Sequence, residues 1–133
     1  MESNLTITEV ARRTGLTAYT LRYYERIGLI APIARAGGGQ RRYAASDMDW
    51  IGFLIRLRAT DMPIQRMQTF ARLRSEGNGT AGERRQLLDV HLTEVMAQIQ
   101  ALQQSAQVLQ SKIEFYRQLE SSLAPDRATL KRK

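Results

Sequence analysis

Four side chains within one short stretch could do chemistry together: Tyr19, Arg22, Tyr23 and Arg26. Arginine carries a rigid fork of donors that fits a phosphate or the acceptor edge of guanine. Tyrosine brings a flat ring with a hydroxyl tip. The stretch from Ala18 to Gly28 reads as a helix with a clear start and stop. Thr17 can accept a first-turn backbone N–H as N-cap, and Gly28 sits where a left-handed residue ends a helix without a Cβ penalty. Ala18, Leu21 and Ile27 take the inward side. The tyrosines and arginines spread over the rest, too aromatic and too cationic for an ordinary solvated face. Such a helix suits a DNA major groove.

Catalytic and metal chemistry find no support. The chain has no cysteine, so disulfides, thiolate metal sites and cysteine redox sensing are excluded. No nucleophile–base pair, carboxylate dyad or metal set stands at suitable spacing. His91 is the single histidine; it flanks the long helix described below and reads as a packed residue in preference to a sensor or ligand. The sequence therefore predicts no enzyme, no metal site and no cofactor. Gly37-Gly38-Gly39 lacks the Lys-Ser/Thr of a nucleotide-cradling loop.

The elements that would position the four side chains can be read in order. Residues 6–15 form a first short helix, with Thr8 as its cap, Val10 and Ala11 inward and Gly15 at its end. Gly15-Leu16-Thr17 then turns into the basic helix, giving a helix, a short glycine-containing turn and a second helix. Two short β-prone pieces around Gly37-Gly38-Gly39 predict a small hairpin or wing, with Arg41 and Arg42 beside its tip. Ser46-x-x-Asp49 opens a third helix whose Trp50, Ile51, Phe53, Leu54 and Leu57 are core residues. After Asp61-Met62-Pro63 a fourth helix runs to about Ser75, burying Ile64, Met67 and Phe70.

Charge divides the chain. Residues 1–74 hold 12 Lys/Arg against 6 Asp/Glu, whereas residues 75–133 hold 8 against 7. A basic front half joined to a near-neutral back half suggests a polyanion-binding module with an appendage. Residues 76–82 are a glycine-rich linker or tight corner. Beyond them Leu88, Leu92, Val95, Ile99, Leu102, Ala106, Leu109, Ile113 and Tyr116 alternate in steps of four and three without a fault. That is a heptad seam, and it calls for a partner helix, most simply a second copy of this chain. Spacing alone does not decide parallel from antiparallel pairing. The tail, residues 122–133, contains Pro125 and ends basic, so it reads as frayed. No apolar leader and no run near the ~20 residues of a membrane span appears, so the expected location is the bacterial cytoplasm, on the nucleoid.

Together these pieces resemble the MerR family of bacterial transcription regulators. The likeness rests on Ile7-Thr8-Glu9-Val10-Ala11, on Thr14-Gly15-Leu16-Thr17, and on the string Thr20-Leu21-Arg22-Tyr23-Tyr24-Glu25-Arg26-Ile27-Gly28-Leu29-Ile30. After Pro32 it continues in Gly39-Gln40-Arg41-Arg42-Tyr43, and it spans roughly residues 5–75. The resemblance implies a mainly α protein: a winged helix-turn-helix DNA-binding domain over 1–75, and a dimerisation helix over 83–121 paired as an antiparallel coiled coil. It also implies a homodimer that binds a dyad in an over-long promoter spacer and bends and untwists the DNA. RNA polymerase would be reached indirectly, through that DNA. A DNA-bending, excisionase-like accessory protein is the alternative, disfavoured by the long helix.

The same resemblance assigns contacts. Arg22, Tyr23 and Tyr24 would touch groove and backbone from the second helix, with Tyr19 and Thr20 beside them. Arg41, Arg42 and Tyr43 would belong to the first wing, and Arg58 to a second, helical wing. For Thr17 a cap alone is the competing reading, and for Tyr24 it is packing under the wing. Three departures stand out: Gln40 replaces a usual tyrosine, Asp61 a usual glycine, and the metal-sensing cysteines are absent. The pattern is most similar to the aldehyde- and electrophile-stress branch, with Arg56 where that branch has its sensing cysteine. No effector can be read from the chain.

Overall fold

The computed structural model describes the backbone of residues 5–132 and the side chains of residues 5–123. Five α-helices follow one another: α1 (Ile7–Thr14), α2 (Ala18–Arg26), α3 (Ala45–Ala59), α4 (Ile64–Ser75) and α5 (Ala81–Arg132). Among the described residues no extended strand forms. The expected hairpin is reduced to two isolated antiparallel bridges, Leu5 with Tyr43 and Arg35 with Arg41. Its three central glycines favour turning over pairing, which leaves too little chain for a ladder.

The helix ends explain the boundaries. Thr6, not Thr8, caps α1: its Oγ1 accepts from Glu9 N at 3.1 Å, and the Glu9 carboxylate accepts from Thr6 N at 2.8 Å. This reciprocal box outcompetes a cap two residues later, because it satisfies two end groups at once. The Thr6 hydrogen bonds also hold the Glu9 carboxyl below its ordinary pKa. Thr17 Oγ1 accepts from Thr20 N at 3.0 Å, as expected. α3 begins earlier than Ser46 would set it, since Asp47 instead of Asp49 reaches back to Ala44 N, 2.8 Å away. Asp61 takes φ 67°, the left-handed turn between α3 and α4. Its short polar side chain tolerates that conformation better than most.

The core of the N-terminal unit joins all the early elements. Val10, Leu21, Leu29, Ile30, Tyr43, Ile51, Leu54 and Met67 are essentially inaccessible. Trp50 and Phe70 stack with ring centroids 6.0 Å apart, and Phe53 tilts against both. Residues 76–82 prove to be a tight corner with a 3₁₀ turn at Asn78–Thr80. The buried Thr80 hydroxyl donates to Leu73 O at 2.6 Å, and Arg84 Nε donates to Thr80 Oγ1 at 3.0 Å.

The chain divides into two units after His91, beyond the expected boundary at 76–82. Leu87 and Leu88 pack on the N-terminal core, and His91 is buried. Thr60 Oγ1 donates to Arg56 O at 2.8 Å, so its lone pair accepts from His91 Nε2, 2.7 Å away. His91 is thus a packing and anchoring residue. The second unit continues α5, which runs through Pro125 to Arg132, beyond the expected end at 121. An interior proline forfeits one N–H bond and crowds the carbonyl four residues before it, a local cost that can kink a helix without ending it. The side chains of the expected basic tail from 124 onward lie outside the described residues.

Candidate nucleic-acid interface

The helix-turn-helix pair sets α2 with one side in the core and one in solvent. Leu21 and Tyr24 are buried, while Tyr19 is 67% exposed and Arg22 and Arg26 are open to solvent. Tyr23 is half-buried, its ring capped by the Arg26 guanidinium at 5.4 Å. Cation–π contact of this kind draws the guanidinium and the ring together. The C-terminal end of α2 is tied down from two other helices. Trp50 Nε1 donates to Leu29 O at 2.7 Å, and Gln68 Nε2 donates to Ile27 O at 2.9 Å. An indole N–H drawn into a core needs such an acceptor, so Trp50 does more than fill volume.

The wing lies beside α2. Glu25, on α2, accepts from Arg41 Nε at 2.6 Å and from Ile33 N at 3.0 Å. Burial alone would raise the Glu25 pKa, but the Arg41 and Ile33 hydrogen bonds and the nearby Arg41 and Arg35 charges outweigh it. The carboxyl therefore titrates below its ordinary range. Between wing and helix runs a groove of about 470 Å³ bordered by Tyr19, Arg22, Arg26 and Pro32, with the Glu25–Arg41 pair at its wall. A second groove, of about 380 Å³, separates the wing from the start of α1 and is bordered by Thr6, Thr8, Arg35, Gln40 and Arg42. Arg42 Nη1 is buried here without a hydrogen-bond partner, so part of its donor capacity is unspent.

Several expected contacts fall elsewhere. Tyr43 is fully buried and bridges backbone-to-backbone with Leu5, so its ring braces the base of the wing. Burial pushes its phenol above the ordinary pKa. Tyr24 is 8% exposed, which favours packing under the wing over groove contact. Both rings belong to the buried cluster that joins α2, wing and α3. Arg41 is half-buried and its charge is taken up by Glu25. Arg58 is exposed and donates to Met62 O at 3.3 Å at the end of α3, apart from α2 and the wing in sequence. What the arrangement presents outward is therefore Thr17, Tyr19, Thr20, Arg22, Tyr23 and Arg26 from α2 and its cap, with Arg42 half-buried beside the wing. Glu25 was not singled out from the sequence, where a lone acid among bases gives no sign of its partner.

Model descriptions of known families match both halves. Residues 5–77 match the MerR HTH family regulatory protein, and residues 48–124 match the MerR DNA-binding description. The chain belongs to the MerR family. Among MerR-type relatives, the transcriptional regulator AdhR of Bacillus subtilis is 40% identical over 84 residues, which cover 63% of this chain and 60% of AdhR. A MerR family transcriptional regulator from Listeria monocytogenes has a solved structure with TM-score 0.83 and 35% identity, over 96% of this chain and 94% of that one. The crystal structure of HiNmlR, a MerR family regulator lacking the sensor domain and bound to promoter DNA, matches at TM-score 0.81 and 30% identity. It spans 91% of this chain and 94% of its own. The MerR likeness to HiNmlR and the Listeria protein takes in the helix-turn-helix and the long C-terminal helix alike. The relatives are named as transcriptional regulators, and this chain is a transcription regulator of the same family.

Proposed function

We propose that the protein is a homodimer that binds a dyad of double-stranded promoter DNA and controls transcription by bending and untwisting it. The reading is carried by one observation: the outer side of α2 exposes Tyr19, Arg22 and Arg26 next to the wing, with the core sealed behind it. Arg22 and Tyr19 would reach base edges. Thr17, Thr20 and Tyr23 would contact the backbone, Arg42 would touch a phosphate from the wing, and Arg58 would touch phosphate from the α3 end. The two recognition helices would be set apart by antiparallel pairing of α5 through its seam, whose Ile99, Leu102, Leu109 and Ile113 stand 42–70% exposed in the single chain. RNA polymerase would respond to the reshaped spacer, and the protein itself would catalyse nothing. No described helix is long and apolar enough to cross a membrane; the reading has it act in the cytoplasm, on the nucleoid.

Selection of bound DNA from a random pool, with footprinting upstream of the protein's own gene, tests this. A dyad between promoter elements with an over-long spacer is the expected result. Salt-sensitive binding with no dyad would overturn it.

A further inference from the structure

The three tyrosines of α2 are not in the same situation. Tyr24 is buried, and Tyr23 lies against it with ring centroids 6.2 Å apart and the Arg26 guanidinium over its other contacts at 5.4 Å. Tyr19 enters neither contact. It is the second residue of α2, stands 67% exposed, and borders the same groove as Arg22, Arg26 and Pro32. Its position decides what the ring meets. Tyr19 and Arg22 are three residues apart, so they share a face of the helix and are separated by about 4.5 Å along its axis. That rise lies between one and two base-pair steps of about 3.4 Å. A recognition helix meets base edges through its N-terminal residues, and Tyr19 precedes Arg22 there. The Arg22 fork matches the O6 and N7 acceptors of guanine. A flat apolar ring matches the apolar group of the major-groove edges, the C5-methyl of thymine.

We propose that Tyr19 is a specificity-determining residue, which packs its ring on the methyl of a thymine within about two base pairs of the guanine read by Arg22. The proposal rests on the DNA-binding reading above and adds to it a base and an atom. Arginine charge on the same face brings the helix to the duplex, and it is indifferent to the thymine methyl. The ring is not, because closing on that methyl takes apolar surface of both partners out of water. The ring face carries the recognition and the hydroxyl does not, so phenylalanine can stand in for Tyr19 and alanine cannot. Loss of one buried methyl group weakens binding about fourfold, and loss of two, one in each half of a dyad, about fifteenfold.

Deoxyuridine in place of thymidine removes the methyl and keeps the base pair, which gives a direct test. Each thymine of the selected duplex is replaced in turn, and the full-length protein is titrated against every version. One thymine per half-site should prove sensitive, near the position at which Arg22→Ala relaxes sequence preference. Tyr19→Ala should bind the unmodified duplex more weakly and lose nothing further on replacement, whereas Tyr19→Phe should keep the wild-type sensitivity. Tyr19 lies outside the core, so neither variant threatens the fold. A dyad bound with no sensitive thymine, or with one far from the Arg22 position, would overturn the methyl contact and leave the DNA-binding reading standing. So would a sensitivity that survives in Tyr19→Ala or disappears in Tyr19→Phe. A protein that selects no dyad at all would overturn both.

Discussion

Arg41 Nε and Glu25 Oε1 meet at 2.6 Å, sixteen residues apart in sequence, and the same carboxylate accepts from Ile33 N. One acid thus fixes both arms of the wing to the recognition helix. Its removal should loosen the wing more than the helix. Glu25→Gln is expected to cost about 1–2 kcal/mol of stability, read by urea unfolding with the sole tryptophan, Trp50, as fluorescent probe. Because the folded-state pKa lies below its ordinary 4.5, the contribution is complete above that value and is lost as pH falls through the depressed one. The stability gap between wild type and variant should therefore narrow only in the acid range below about pH 4.5. A gap that stays constant across that range would show that the pair's charge does not matter.

Arg22 and Arg42 should fail in different ways. Arg22→Ala is expected to cost about 1–3 kcal/mol of specific DNA binding and to relax sequence preference at one position. Arg42→Ala should weaken binding evenly across sequences and lower the salt slope by about 1. Titrations of selected and scrambled sites at several salt concentrations separate the two. An Arg22→Ala protein with unchanged affinity would strike that residue from the contact set.

Tyr43 and Tyr24 are expected to act on folding before binding. Tyr43→Ala should cost about 3–5 kcal/mol, since the ring is fully buried at the wing base. Tyr43→Phe should bind DNA as well as wild type, because the hydroxyl is sealed away from any ligand. A selective loss of DNA affinity in a stably folded Tyr43→Phe protein would contradict this placement.

Asp61 holds a left-handed backbone at φ 67° on the surface between α3 and α4. Asp61→Gly should be neutral or slightly stabilising, whereas Asp61→Val should cost about 1–2 kcal/mol through its branched Cβ. Thermal unfolding of the pair is the check, and equal melting temperatures would refute the argument.

The seam carries a simpler expectation. Ile99→Asp places a charge at the middle of the proposed interface, where no opposite charge awaits it. Sedimentation should find monomers that have lost dyad binding. A persistent dimer would mean that another surface holds the two chains together.

Much of this protein is determined locally. The helix starts and stops at Thr17, Gly15 and Gly28 and the seam from Leu88 to Tyr116 follow from neighbouring residues and fixed periods, so they are legible in the chain. Side-chain partners across long separations are not, because no period links them. Glu25 with Arg41, Trp50 with Leu29 and His91 with Thr60 arise only when the elements pack. The tertiary structure likewise decided which motif residues face outward. Arg22 and Tyr19 stay in water, while Tyr24 and Tyr43, just as polar-tipped on paper, are drawn inside to fill the space between helix and wing. Sequence determines which residues can bind DNA, and packing decides which of them are left free to do so.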